Sequence, residues 1–221
     1  MPELAMVVAD DDPLSRTAAV SLLEADDRIR VVGEAATGTA AVELATDLRP
    51  DVLLVDIRMP ELDGVEATRR VVEGTSGDDR PPVRVLVLTA FQDETTIRSL
   101  AAGASGFLLK QSYRDLVPAV VAVAGGEAWI DPAVAPAILA ELRAHGRGRR
   151  AHRDVRDRLS PREREVAQLM VDGLYNEEIA RELSVALPTV KTHITRIRTK
   201  TGSRNRVEAV VAVLRAGLAR M

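Results

Sequence analysis

One pattern constrains this chain more than any other: between residues 4 and 124 a short apolar run is followed by an amphipathic stretch, five times over. The runs fall at residues 4–9, 29–35, 51–55, 83–88 and 105–109, and the helical patterns at 13–25, 39–48, 65–73, 94–101 and 113–124. Strands that alternate with helices predict a parallel sheet with helices on both faces, because each parallel step needs a crossover. The third and fourth runs (DVLLV, VRVLVL) are almost wholly apolar, as central strands covered on both sides must be. Aromatic residues make up only 2% of the chain, so the cores must be built from Val, Leu, Ile and Ala.

After Ala124 the strand pattern stops. Gly125-Gly126 breaks a helix, residues 131–142 predict another, and the basic, glycine-containing tract 145–158 predicts a linker. From Ser160 onward the pattern is helical throughout. Ser160-Pro161-Arg162-Glu163 has the form of a helix start, with a hydroxyl cap, Pro at the first position and Glu at the third. That helix reaches about Asp172, and Gly173 ends it. Asn176 is expected to cap a second helix to Leu183. A third is expected over 187–201, closed by Gly202, and a fourth over 206–214. The predicted architecture is a doubly wound, five-stranded parallel α/β domain (1–124), a helical segment and basic linker (125–157), and an all-α four-helix domain (158–221).

Charge divides in the same way. Residues 1–146 carry 13 Lys and Arg against 24 Asp and Glu, a net −11; residues 147–221 carry 17 against 9, a net +8. A basic tail on an acidic body points to a polyanionic partner for one end only, although a basic patch is also what a plain solvated surface shows. Cysteine is absent, which excludes disulfides and thiolate metal sites. Residues 1–12 lack a basic segment followed by a long apolar run, and no apolar stretch is long enough for a bilayer. The expectation is a cytoplasmic protein with no membrane partner.

In an open parallel sheet, ligands bind in the crevice beyond the carboxyl ends of the strands. The first strand there ends in Asp10-Asp11-Asp12, the third in Asp56, the fourth in Thr89 and the fifth in Lys110. Converging carboxylates repel one another, and a hard divalent cation such as Mg²⁺ relieves that repulsion. A carboxylate, a metal, a lysine and a hydroxyl together suit phosphoryl transfer onto the carboxylate. Taken singly, an Asp after a strand is also an ordinary helix cap, and a Lys there is also an ordinary solvated side chain. Asp12 in particular is placed to cap the helix that begins at Pro13.

Four motifs in order give this region a family resemblance. DIRMPELDG (56–64) matches the D-x-x-M-P-x-x-D-G stretch of CheY-like receiver domains, and Val8-Ala9-Asp10-Asp11 resembles their first-strand acidic pair. Leu88-Thr89-Ala90 and GASGFLLK (103–110) are similar to their switch-threonine and lysine segments. The resemblance implies that Asp56 is the phosphoacceptor. It implies Asp11 as the direct Mg²⁺ ligand, Asp10 acting chiefly through water, and the backbone carbonyl of Arg58 as a further ligand beside Asp56. Thr89 and Lys110 would bind phosphoryl oxygens. Phe107 occupies the place of the aromatic switch residue that turns inward when Thr89 moves, a position a plain core aromatic would also fill. Asp12 stands where such proteins often have His, and the loop 74–82 is longer and more polar than usual.

In the basic end, two short helices joined by a tight turn have the spacing of a helix-turn-helix, whose second helix enters the major groove. Val190, Ile194 and Ile197 recur at helical spacing and are expected to face inward. Lys191, Arg196 and Lys200 are then left on polar positions with Thr189, Thr192 and Thr195, which suit phosphates and base edges. A small helical bundle that binds protein has the same outline. The scarcity of aromatics favours duplex over single-stranded nucleic acid. LSPREREV (159–166), GLYNEEIA (173–180) and TVKTHI (189–194) resemble the LuxR-type helix-turn-helix of NarL/FixJ response regulators. That resemblance implies Lys191 and Thr192 at the groove with Thr195 a turn further on, Thr189 as a cap or phosphate contact, and residues 206–218 as the dimerising helix. Tyr175 replaces a usual small hydroxyl residue, and Thr199 and Thr201 replace commoner aliphatic ones.

The combined expectation is a transcriptional regulator rather than an enzyme. A sensor histidine kinase would phosphorylate Asp56 with Mg²⁺ present, and a homodimer would then bind double-stranded DNA. A Mg²⁺-dependent small-molecule phosphatase would use the same rim, but Arg58 stands where its acid/base aspartate would be. A constitutive DNA binder with a receiver used only for protein contacts is the third reading.

Overall fold

The computed structural model describes residues 3–75, 81–90, 98–100, 102–131, 133, 158–216 and 218. The chain divides into two compact units, Met1–Ala135 and Pro136–Met221. The first contains β1 (Leu4–Ala9), α1 (Pro13–Glu24), β2 (Ile29–Ala35), α2 (Gly38–Leu48), β3 (Val52–Asp56), α3 (Gly64–Thr75), β4 (Arg84–Thr89), β5 (Gly106–Leu109), a 3₁₀ segment (Lys110–Asp115), α4 (Leu116–Ala124) and β6 (Trp129–Ile130). All strands are parallel, in the order β2-β1-β3-β4-β5-β6. Every residue of β3 is buried: the four apolar residues 52–55, as the centre of the sheet requires, and the Asp56 that ends it. Met6, Val8, Leu54, Leu86, Leu88 and Leu108 cover one face against Ala19 and Leu23 of α1 and Leu116, Ala119, Val120 and Val123 of α4. Their strand neighbours (Val7, Leu53, Val55, Val87 and Phe107) are also buried and belong to the opposite face, because side chains alternate along a strand.

Local chemistry sets the helix starts. Asp12 accepts the N–H groups of Leu14 and Ser15, Thr37 accepts that of Ala40, and Asp63 accepts that of Glu66. The helix expected from Tyr113 begins instead at Leu116, after a 3₁₀ turn in which Ser112 has φ −101° and ψ 29°. Pro118 explains the delay: it is tolerated only in a first turn, where its missing N–H is not needed. The sheet also has one more strand than expected. Trp129–Ile130 pairs with Gly106–Phe107. The buried Asp131 fastens it, donating its N–H to the Phe107 carbonyl (2.9 Å) and accepting the Leu109 N–H on Oδ2 (3.2 Å). Residues 98–100 are helical within the expected 94–101 helix, whose remainder lies outside the described residues. The expected 131–142 helix and 145–158 linker lie almost wholly outside them too, as does the middle of the 74–82 loop.

The second unit contains α5 (Pro161–Val171), α6 (Asn176–Glu182), α7 (Leu187–Thr201) and α8 (Arg206–Arg215). Val166, Ala167, Met170, Ile179, Val190, Ile194, Ile197, Ala209 and Val213 form its aliphatic core. Ser160 accepts the Glu163 N–H while Glu163 accepts the Ser160 N–H, the reciprocal cap expected for α5. The cap of α6 differs from expectation. Tyr175 is the cap residue, and its N–H donates to Glu178 Oε2 (2.7 Å). Asn176 is the first helical residue, buried, and its side-chain amide oxygen Oδ1 accepts from Arg206 (2.7 Å). Arg206 also donates to the Leu174 carbonyl (2.6 Å), so one buried arginine ties α8 to the turn before α6. Among the described residues no helix is long and apolar enough to cross a membrane.

Candidate functional site

Parallel pairing brings the ends of β1, β3, β4 and β5 to one rim, and the charged residues follow the strands there. One carboxylate oxygen each from Asp10, Asp11 and Asp56 lies within 4.8 Å of the others. Lys110 Nζ is 2.6 Å from both Asp10 Oδ2 and Asp56 Oδ2, with Asp10 and Asp56 nearly hidden and the lysine largely so. Two of the three carboxylates thus share one ammonium, and Asp11 is exposed at the mouth. All-oxygen donors in carboxylate excess are the set a hard divalent cation prefers, so these residues fit Mg²⁺.

The electrostatics of Asp56 are unlike those of an ordinary surface carboxylate. Burial pushes its pKa up; the hydrogen bond and charge of Lys110 pull it down, and the negative charge of Asp10 adds to the rise, leaving it above the usual range. Burial pulls the Lys110 ammonium down, but its hydrogen bonds to Asp10 and Asp56 more than offset this and hold it charged.

The backbone around Asp56 is shaped by its neighbours. The Arg58 N–H approaches Asp56 Oδ1 at 3.4 Å. Gly64 opens α3 with its N–H on the Ile57 carbonyl (2.8 Å), and a Cβ there would lie 2.0 Å from the Asp56 carbonyl oxygen. Only glycine permits that approach, which is the physical reason for the Asp63-Gly64 pair: Asp63 caps the helix and Gly64 lets it sit against the end of β3. Thr89 ends β4 on the same rim, one residue past Leu88, the register partner of Asp56. Phe107 is fully buried in register with Val87, so it already lies inside the fold rather than swung outward.

Sequence reasoning missed three contributors. Ser15 Oγ donates to Asp10 Oδ2 (2.7 Å) and shares a 3.0 Å hydrogen bond with Tyr113 OH. Arg16 donates to the Asp10 carbonyl (2.6 Å). Ser15 and Arg16 follow an acidic strand end by half a dozen residues or fewer, a findable spacing; Tyr113 is 98 residues from Ser15 and carries no local signal. Asp12 holds the N-terminus of α1, as its position allowed.

In the helical unit, Thr189, Lys191, Thr192, Thr195 and Arg196 are all exposed on α7, opposite buried Val190, Ile194 and Ile197. Thr189 is not a cap: Ala186 holds that position, and Thr189 lies within the first turn with its N–H on the Ala186 carbonyl (2.9 Å). Lys200 is also placed differently from its neighbours. It is only about a third exposed and pairs at 2.7 Å with Glu163, which is buried. Burial opposes ionisation of Glu163, but hydrogen bonds from Lys200 and from the Ser160 backbone and side chain prevail, and its pKa falls below the usual range. Thr201, where an aliphatic residue is commoner, keeps its hydroxyl bonded to the Ile197 carbonyl (2.8 Å) and to Ser203 (2.7 Å).

A rim of this kind on a doubly wound sheet, in one chain with a basic helix-turn-helix, defines a receiver joined to a DNA-binding domain. Residues 6–122 match the response regulator receiver domain, and residues 157–213 match the bacterial regulatory proteins of the luxR family. The chain is similar to the transcriptional regulatory protein LiaR of Bacillus subtilis, 36% identical over 208 residues and covering 93% of this chain and 94% of that one. It is equally similar to the nitrate/nitrite response regulator NarL of Escherichia coli, 36% identical over 210 residues and covering 94% of both chains. Among solved structures it resembles the response regulator ChrA of a heme-sensing two-component system (TM-score 0.53, 33% identity, 99% of this chain and 100% of that one). The chain belongs to the NarL/LiaR-type response regulators: it is a transcription regulator of a two-component system, with a receiver and a LuxR-type DNA-binding domain.

Proposed function

We propose that Asp56 accepts a phosphoryl group from a partner histidine kinase and that the modified chain dimerises on duplex DNA. The observation that carries this is the double contact of Lys110 Nζ, 2.6 Å from the carboxylates of both Asp10 and Asp56. It fixes an Asp56 oxygen at a rim where an incoming phosphoryl group meets a fixed cation. An Asp56 oxygen bonds to phosphorus as the phosphorus–nitrogen bond of phosphohistidine breaks, and the histidine nitrogen leaves with the electron pair. Asp10, Asp11, Asp56 and the Arg58 carbonyl would hold Mg²⁺. Bound there, the ion supplies positive charge against the phosphoryl oxygens. Lys110 neutralises one of those oxygens, and Thr89 offers its hydroxyl to another.

On the DNA side, Lys191, Thr192, Thr195 and Arg196 of α7 enter the major groove, with Thr189 at phosphate. Lys200 holds the end of that helix through Glu163 and is not a groove contact. Val211 and Leu214 on α8, half-exposed one turn apart, supply an apolar face for a second copy. A dimer of this kind reads paired half-sites with two-fold symmetry. The test is labelling with acetyl phosphate or phosphoramidate and Mg²⁺, followed by duplex binding across a salt series. Label should be incorporated, Asp56→Asn should remove it, and phosphorylation should tighten a steeply salt-dependent binding. Label that persists in Asp56→Asn excludes this acceptor.

A further inference from the structure

Three exposed threonines of α7 have already used their only hydroxyl hydrogens. Thr192 Oγ1 donates to the Pro188 carbonyl (2.9 Å), Thr195 Oγ1 to the Lys191 carbonyl (3.0 Å) and Thr199 Oγ1 to the Thr195 carbonyl (3.1 Å). All three side chains are exposed and recur at i, i+3 and i+7, one face of the helix. A threonine hydroxyl has one donor hydrogen and two acceptor lone pairs. Back-bonded in this way, each residue has only lone pairs and a γ-methyl left to offer outward. Thr189 is different: the residue four before it lies outside the helix, and among the described residues no carbonyl takes its hydroxyl hydrogen.

This restricts what the face can recognise. The major-groove edge of guanine presents only acceptors, which an acceptor-only hydroxyl cannot satisfy. Thymine presents an O4 acceptor, which the hydroxyls cannot satisfy either, but also a C5-methyl that the γ-methyls can pack against; adenine and cytosine present amino donors but no methyl. Lys191, beside Thr192, is the group with hydrogens to give guanine.

We propose that Thr192 and Thr195 form an apolar, acceptor-only reading edge that selects thymine by contact between their γ-methyls and its C5-methyl. The inference rests on the DNA-binding role of α7 and assigns that role its base chemistry. Guanine readout then belongs to Lys191, and Thr199, further along the helix, extends the same edge toward the flank.

The test uses the full chain, phosphorylated with acetyl phosphate. Binding sites are selected from a randomised duplex pool, and each protected thymine is then replaced by deoxyuridine, which lacks only the methyl. At least one position per half-site should lose about four-fold in affinity, the worth of one buried methyl-sized group. Thr192→Ser and Thr195→Ser keep the back-bonded hydroxyl and delete the methyl, so the deoxyuridine penalty should collapse toward unity in one of them. Thr192→Val and Thr195→Val keep a methyl, and the penalty should persist. This double comparison isolates the methyl pair from any loss of affinity common to all duplexes. If no protected thymine responds to deoxyuridine, or the penalty is the same in the Ser variants as in the unsubstituted chain, the inference is overturned while DNA binding stands. If no duplex is retained at any salt concentration, the DNA-binding role fails, and the inference with it.

Discussion

Asp56 and Glu163 are both hidden carboxylates held by a lysine at about the same distance, 2.6 and 2.7 Å, yet their acidities move in opposite directions. Asp56 is raised chiefly by burial, and the charge of Asp10, which shares its lysine, adds to the rise against the pull of Lys110. Glu163 is lowered, against the opposing effect of burial, because Lys200 serves it alone and the Ser160 backbone and side chain add hydrogen bonds. The difference separates a site from a scaffold. Carboxylate excess in the receiver is a donor set that suits a hard divalent cation, whereas the matched Lys200–Glu163 pair in the helical unit joins α7 to α5. A buried ion pair is therefore not by itself a mark of function; what matters is whether the charges around it sum to zero.

The hardest blow to this contrast is Lys200→Ala. It leaves Glu163 charged, buried and short of a partner. We expect a loss of about 2 kcal/mol in the helical unit, less than the ~3–5 kcal/mol of a fully buried pair, because Lys200 is partly solvated and Ser160 still binds the carboxylate. Thermal or urea unfolding followed by hydrogen exchange, which resolves the two units, measures it. An unchanged helical unit together with weakened DNA binding would return Lys200 to the groove. Its identity was not legible in the sequence, where it looks like Lys191 and Arg196: another basic residue on a polar position. Only its distance from Glu163, across 37 residues of chain, distinguishes it.

The same asymmetry runs through the rest of the molecule. The parallel sheet was legible because strands covered on both faces must be apolar throughout, and the rim was legible because parallel strands end together. What was not legible depended on contacts between distant segments or on elements too short for periodicity. Trp129–Ile130 is two residues long, and its strand character lies in Asp131, which ties it back to β5. Tyr113 reaches Ser15 only because the 3₁₀ turn that Pro118 imposes on the start of α4 keeps it beside α1. Asn176 looked like a cap by residue type; the guanidinium of Arg206 claimed its side chain for the core instead.

A smaller effect of opposite sign is expected at Asp56. Asp56→Asn removes one of three clustered charges and leaves Lys110 to Asp10, so the receiver should gain about 1 kcal/mol. Acid titration should separate the two carboxylates as well. The folded pKa of Asp56 lies above its unfolded value near 3.9, so folding takes up a proton between the two and the receiver gains stability as pH falls through the folded value. The folded pKa of Glu163 lies below its unfolded value near 4.3, so its contribution is complete above that pH and disappears as pH falls through the folded value. Hydrogen exchange at pH 7, 5 and 4 reads both units in one sample. Asp56→Asn should flatten the receiver's rise, and Glu163→Gln should flatten the helical unit's fall. A receiver whose pH dependence is identical with and without Asp56 would mean its charge is already matched.

The smallest effect comes from backbone geometry and shows how far the helical unit can be tuned without touching charge. Three of its helices end in the same way. The N–H groups of Leu174, Val185 and Ser203 reach back to the carbonyls of Leu169, Ala180 and Arg198, and the residue before each has positive φ. Two of those residues are glycines, Gly173 (φ 86°) and Gly202 (φ 69°); the third is Ser184 (φ 51°), in the turn of the helix-turn-helix. A side chain in the left-handed region carries a steric penalty that glycine avoids, partly offset by the greater freedom glycine has when unfolded. Ser184→Gly should therefore stabilise the helical unit by roughly 0.5 kcal/mol, with no change in the pH dependence set by Glu163 or in phosphorylation of Asp56. A loss of stability would mean that the hydroxyl of Ser184 holds the turn between α6 and α7. The rigidity of α7 would then depend on a side chain as well as on the backbone bonds that close the turn.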